Sequence, residues 1–249
     1  MHLDSYLARI GYQGAVTPTL ETLRKLHRAH LLAVPFENLD IVPLGRPISL
    51  ELAATYHKIV EKRRGGFCFE QNGLFAWALQ QLGFEVHLLQ AEVRHDDGGY
   101  GQPFNHLALL VHLEEAWLTD VGFGDHFIEP LRLDDPQAQH DAAGQFRIQH
   151  DGQAGFLERL YGEEWRIDYR FFLTPRQLED FGEACHYMQT SPHTHFTQKR
   201  VCSLLTPTGR LTLSNFTLIR TEQGQRSETA LEGEAGFVAA LKTHFGISL

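Results

Sequence analysis

Apolar residues in the first third of the chain recur at helical spacing. Leu3, Tyr6, Leu7 and Ile10 form one stripe, which stops at Gly11. Thr17-Pro18 offers an N-cap followed by proline at the first helical position, leading into Leu20, Leu23 and Leu26 in a helix that must end before Pro35. Ser49 caps a third run, Leu52, Ala53, Tyr56, Ile59 and Val60, which ends at Gly65-Gly66. A fourth, with Leu74, Phe75, Ala78, Leu79 and Leu82, stops at Gly83. Short helices joined by tight loops predict a small bundle.

After Gly83 the period changes from helical to alternating. Residues 86–93, 106–113 and 116–121 read as strands, with Asp97-Gly98-Gly99 as a turn. Further strands are expected at 145–149, 156–161 and 164–170, broken by Asp151-Gly152 and Gly162. Their close spacing favours antiparallel pairing, in the manner of a barrel. Thr174-Pro175 is expected to cap a helix running to about Tyr187. Strands at 201–205 and 211–220 flank Pro207-Thr208-Gly209, and a closing helix covers about 234–245. Helices first, strands next and a mixed tail predict an α+β chain with three subdomains. Their expected bounds are 1–84, carrying the candidate nucleophile, 85–188, the strand-rich part with an interdomain helix, and 189–249.

Composition narrows the function classes. With 43% hydrophobic and 21% charged residues, the 249-residue chain is neither disordered nor fibrous. Its longest apolar stretches, such as 107–111, fall far short of a membrane span, and residues 1–20 hold no apolar signal core. A cytoplasmic location is the expectation. A net charge of -9 repels phosphate backbones, which argues against nucleic-acid binding. Three cysteines without C-x-x-C spacing suggest neither a disulfide framework nor a zinc site, so no metal is expected.

One of those cysteines stands in the most informative stretch, residues 64–73. Gly65-Gly66 allows close backbone approach, and Cys68 follows where a helix is about to begin. A thiol at a helix N-terminus is biased toward thiolate by the dipole, although a free cysteine is as often a small buried hydrophobe. A thiolate needs a base, and the base needs an orienter. His106 opens a strongly apolar strand, and Asp120 ends the next one ahead of Gly122-Phe123-Gly124. A hairpin through Glu114-Glu115 would bring the two together at its open end, with Asp120 holding one imidazole nitrogen and the other facing Cys68.

These blocks resemble the arylamine N-acetyltransferases. The likeness lies in residues 64–70, 34–39 and 120–124, and continues through 6–12, 179–181, 189–192 and 202–204, covering nearly the whole chain in family order. The resemblance implies a helical bundle, a central antiparallel β-barrel and a C-terminal α/β lid around a cysteine-protease-like catalytic core. It also implies acetyl-CoA as acyl donor, ping-pong kinetics, and arylamines, arylhydrazines or N-hydroxyarylamines as acceptors. Cys68 matches the acetyl-accepting cysteine, His106 the histidine and Asp120 the aspartate. Phe36, Phe67 and Phe123 match positions lining the acceptor pocket, while Arg64 and Glu70 are expected to form structural ion pairs. Phe196 and the turn containing Thr206 and Gly209 resemble segments near the CoA cleft. Several relatives continue past the position of Leu249, so contacts made by that segment do not carry over. Rival readings at this stage are a macrocycle-closing amide synthase, a cysteine hydrolase or transglutaminase-like enzyme, and a non-catalytic binding protein.

Overall fold

The computed structural model describes residues 1–249. Helix α1 (Leu3–Arg9) and helix α2 (Leu20–Ala33) form where the apolar stripes place them. The cap of α2 is Thr19, not Thr17: the Thr19 hydroxyl accepts the Thr22 N–H at 3.2 Å, and Pro18 stays in the extended approach. Strand β1 (Phe36–Glu37) follows. Helix α3 (Leu52–Tyr56) then widens into a π-helical turn over His57–Glu61, where one unbroken α-helix was expected. The wider turn carries Lys58, whose ammonium reaches Asp40 at 2.8 Å and Glu70 at 2.9 Å. Helix α4 (Cys68–Gln81) begins at Cys68 itself, and Glu70 accepts the Phe67 N–H at 3.1 Å to cap it.

Eight antiparallel strands make a nearly closed barrel: β2 (Glu85–Val93), β3 (His106–His112), β4 (Ala116–Thr119), β5 (Leu131–Arg132), β6 (Gln139–Asp141), β7 (Gly144–His150), β8 (Gly155–Tyr161) and β9 (Glu164–Arg176), in the order β5-β4-β3-β2-β9-β8-β7-β6. The short strands β5 and β6 carry no alternation to predict them. The Gln139 side chain spans their gap, accepting from the Arg132 N–H at 2.7 Å and donating to the Arg132 carbonyl at 2.9 Å. Strand β9 continues through Thr174-Pro175, which therefore caps no helix. Pro175 lies opposite Leu89 beside a register shift, where a residue without an N–H is tolerated. A 3₁₀ turn, Leu178–Phe181, leads instead into α5 (Gly182–Thr190).

The last part contains α6 (His195–Gln198), β10 (Val201–Thr206), β11 (Gly209–Ser214), β12 (Thr217–Glu222), β13 (Gln225–Ala230) and α7 (Gly233–Phe245). The strand expected at 211–220 is two, separated at Asn215, whose φ of 48° turns the chain back. Every residue of β13 is exposed, so hydrophobic alternation could not reveal it. These strands form a sheet in the order β1-β10-β11-β12-β13, which ties the first part of the chain to the last.

Strand β3 serves two cores. Leu107, Leu109 and Val111 face the helices beside Phe67, Phe69 and Phe75, whereas Ala108 and Leu110 face the barrel interior with Leu89, Tyr169 and Phe171. This two-sided burial explains a strand that is apolar at nearly every position. Glu37 is fully buried and pairs with Arg64, whose Nε donates at 2.9 Å and whose Nη2 makes an ion-pair contact at 2.8 Å. Glu70 pairs with Lys58. The structural ion pairs expected of Arg64 and Glu70 are therefore present.

Inside the bundle, His30 joins three helices: Nδ1 is 2.7 Å from the Tyr6 hydroxyl and Nε2 is 3.1 Å from Gln71 Oε1. Burial lowers its pKa to about 3, so it is neutral in the fold. In the unfolded chain His30 takes up a proton near pH 6.5. The stability from keeping it neutral is complete above that value and is lost progressively as pH falls toward 3. Equilibrium urea unfolding should therefore weaken by up to about 1.4 kcal/mol per pH unit in that window from this residue alone. His30→Gln should flatten this slope.

Candidate active site

Two close backbone approaches fix the entrance to α4. The Gly66 N–H donates to the Pro35 carbonyl at 3.2 Å and the Glu37 N–H donates to the Gly66 carbonyl at 3.0 Å. A Cβ on Gly65 would fall 2.0 Å from the Pro35 oxygen. The glycine pair is thus required by proximity, and it sets Cys68 at the first turn of a helix whose opening residues are all buried. Burial pushes the Cys68 thiol well above its ordinary pKa, reinforced by the Asp120 charge, while the Phe69 and Cys68 backbone N–H groups pull the other way. The helix terminus and burial thus act on the thiol in opposite directions.

The residues expected as base and orienter lie at the open end of the β3–β4 hairpin. His112 faces Ala116 and Leu109 faces Thr119, so His106 and Asp120 meet at the open end. His106 Nε2 lies 2.7 Å from Asp120 Oδ2, and both side chains are buried. The other carboxylate oxygen accepts from Asn72 Nδ2 and from the Gly122 N–H, each at 2.8 Å. Burial works to raise the Asp120 pKa, but the charge and hydrogen bond of His106, with the Asn72 amide, outweigh it and hold the group below its ordinary value. An ionised carboxylate only accepts, so Nε2 carries the proton. Nδ1 is not engaged by Asp120.

Asn72 was part of the glycine–cysteine block but had no assigned role. It stands one turn beyond Cys68 on α4. Besides Asp120, its amide donates to the Leu107 carbonyl at 2.6 Å and accepts the Val121 N–H at 2.9 Å. One side chain thereby joins the nucleophile's helix to both strands of the hairpin. Tyr169, from β9, was also missed: its ring lies 5.2 Å from His106 and 5.5 Å from Phe123. Burial and the Asp120 charge raise its phenol well above the ordinary tyrosine value, so it stays protonated. Its signal was a residue type in an ordinary strand, which no motif marks.

Cys68 and His106 open into one cavity of about 650 Å³. Phe36, Phe123 and Phe196 form part of its wall, and Phe123 meets the His106 ring edge-on at 5.3 Å. Phe67 does not line it. As the cap residue of α4 its ring is fully buried, and it packs edge-on against Phe69 at 5.2 Å and against Phe196 at 5.9 Å, behind the wall. Thr206 and Gly209 are not brought to the cavity either. They face one another across the β10–β11 turn, where a Cβ on Gly209 would fall 1.9 Å from the Thr221 carbonyl oxygen. The cavity mouth instead carries Arg94, His95, His193 and His195, none of which lies in a recognisable motif.

Comparison with known proteins gives a consistent picture. The family model described as N-acetyltransferase matches residues 19–249. The arylamine N-acetyltransferase / N-hydroxyarylamine O-acetyltransferase of Salmonella typhimurium (strain LT2) is 39% identical over 229 residues, covering 91% of this chain and 81% of that protein. Among solved structures, the arylamine N-acetyltransferase from Salmonella typhimurium superposes with a TM-score of 0.94 at 36% identity, over 98% of this chain and 90% of that one. The Mycobacterium marinum arylamine N-acetyltransferase in complex with CoA gives a TM-score of 0.91 at 33% identity, covering 99% and 93% of the two chains.

If His106 is the only nearby proton acceptor for a thiol that burial has raised, removing it should shift Cys68 reactivity to alkaline pH. His106→Gln should react with iodoacetamide at Cys68 only above the ordinary thiol range of about 8.5. At pH 7 the rate should fall ~10²–10⁴-fold, as for loss of a positioned base. Mass-resolved alkylation across a pH series checks this. An unchanged profile would remove His106 from the role.

Proposed function

This chain belongs to the arylamine N-acetyltransferase family, and we propose that Cys68, His106 and Asp120 carry its acetyl transfer. The observation that carries the reading is the buried Asp120–His106 pair facing a cavity that also holds Cys68. The enzyme takes acetyl from acetyl-CoA and delivers it to an arylamine. Arylhydrazines and N-hydroxyarylamines fall in the same acceptor class.

The steps follow from the proton inventory. Acetyl-CoA enters, and Nδ1 of His106 takes the Cys68 proton as sulfur attacks the carbonyl carbon. The tetrahedral intermediate carries negative charge on oxygen, next to backbone N–H groups at the start of α4. It collapses by breaking the bond to the CoA sulfur, which leaves with the proton from His106. Cys68 then holds an acetyl thioester. An amine attacks that carbonyl, His106 accepts the amine proton, and the Cys68 sulfur leaves and is reprotonated. Asp120 stays ionised throughout and stabilises the imidazolium in both halves. Because the donor departs before the acceptor reacts, one cavity serves both.

Phe36 and Phe123 are proposed to sandwich the acceptor ring, with Phe67 acting only through Phe196. For CoA, we propose Phe196 together with the basic and imidazole side chains at the cavity mouth. Division into 1–84, 85–188 and 189–249 is proposed as a functional one: the first supplies the nucleophile, the second its base and orienter, the third part of the cover. We also place the enzyme in the cytoplasm; no helix is long and apolar enough to cross a membrane. The amide-synthase and hydrolase readings are not favoured by any feature of the site.

Acetyl-CoA alone should add one acetyl group to Cys68, seen by intact mass and peptide mapping, and an arylamine should discharge it. Cys68→Ala should abolish both the adduct and acceptor-dependent CoA release. Turnover with Cys68 never acetylated would sink the scheme.

A further inference from the structure

A second cluster of donor side chains lies at the far end of the strand that carries His106. Strands β2 and β3 pair so that Glu85 lies directly opposite His112, and His87 is two residues along β2 on the same face. The His87 and His112 rings stand 5.0 Å apart at 63°. His87 Nε2 lies 3.7 Å from Glu85 Oε1, too far for a hydrogen bond, so that nitrogen is not committed to the carboxylate. One ligand atom from each of the three residues lies within 4.8 Å of the others. Glu85 is exposed and both histidines are half-buried, so water and ions reach the group.

We propose that Glu85, His87 and His112 form a binding site for a divalent transition metal ion. Around a four-coordinate ion with metal–nitrogen bonds of ~2.0–2.1 Å, ligand atoms stand about 3.4 Å apart. The present spacing reaches that by side-chain rotation, because the two strands already fix the backbone. Two imidazoles and one carboxylate select zinc, copper, nickel or cobalt ions over calcium and magnesium, and leave a coordination position for water. The pattern escapes the spacing of helical or loop metal motifs because strand register, not sequence proximity, brings His112 to the other two.

The site is separate from acetyl transfer. His112 and His106 are six residues apart on one strand, about 20 Å at ~3.3 Å per residue. A bound ion would clamp β2 to β3, the strand that holds the catalytic imidazole, and so act on stability rather than on the chemical step.

Tag-free protein should be titrated with Zn²⁺ against a chromophoric chelator, using the unaltered chain, Cys68→Ser and His87→Gln/His112→Gln. One equivalent should bind to the first two. The double variant should bind more than ~10-fold more weakly, since losing direct ligands must exceed the cost of losing an outer-shell partner. Zn²⁺ should raise the thermal midpoint of the unaltered chain and not of the double variant, whose acetyl transfer without metal stays normal. Equal binding by the double variant would overturn the proposal. So would binding lost only in Cys68→Ser, which would assign the ion to the catalytic thiol.

Discussion

A carboxylate placed where water cannot reach it must be surrounded by donors, and the site is built around that requirement at Asp120. Its oxygens take the His106 imidazole, the Asn72 amide and the Gly122 N–H, while its backbone carbonyl lies 3.0 Å from His27 Nε2. Those partners come from β3, α4, the loop after β4, and α2. Satisfying one charge therefore fixes the helix that carries Cys68 relative to the hairpin that carries His106. Gly122 shows how little slack remains: a Cβ there would meet Asn72 Nδ2 at 2.7 Å and the Cys68 backbone at 2.8 Å.

The same arrangement changes what the helix terminus contributes. The positive end of α4 favours a thiolate, yet desolvation of Cys68 opposes it more strongly. In the proposed chemistry the thiol gives its proton to the imidazole, whose tautomer is set by Asp120. On that proposal the sulfur, buried and lining the cavity, is reached through the cavity and is less open to stray electrophiles in solution.

The sequence marked the residues of the proposed triad more clearly than it marked the walls. Cys68, His106 and Asp120 stood at element boundaries, next to glycines or at the mouths of apolar strands, where local pattern carries meaning. The helices and central strands were legible because one or two faces are buried. Strand β13, wholly exposed, and β5 and β6, only two and three residues long, had no pattern to read. Phe67, expected at the acceptor pocket, is buried against Phe69 and Phe196 at the helix cap, a packing that its place in the sequence does not reveal. Thr206 and Gly209, expected near the CoA cleft, stand across a sheet turn away from the cavity lining, which their turn composition does not distinguish. Asn72 and Tyr169 depend on contacts between distant elements, which periodicity does not encode.

Strand β1 pairs with β10, and Asn38 reinforces the seam by donating to the Phe196 and Lys199 carbonyls at 2.8 and 2.7 Å and accepting the Val201 N–H at 2.8 Å. The cavity wall beside Cys68 is consequently completed by chain made more than a hundred residues later. At ~5–20 residues per second, on the order of ten seconds separates synthesis of the nucleophile from synthesis of its cover. During translation the sulfur is a bare thiol on an unfinished bundle, without its base until the hairpin emerges and without its roof until β10 does. On the proposed chemistry, competence is thus acquired late and in stages, and a ribosome-bound fragment holding Cys68 alone has a cysteine but no enzyme.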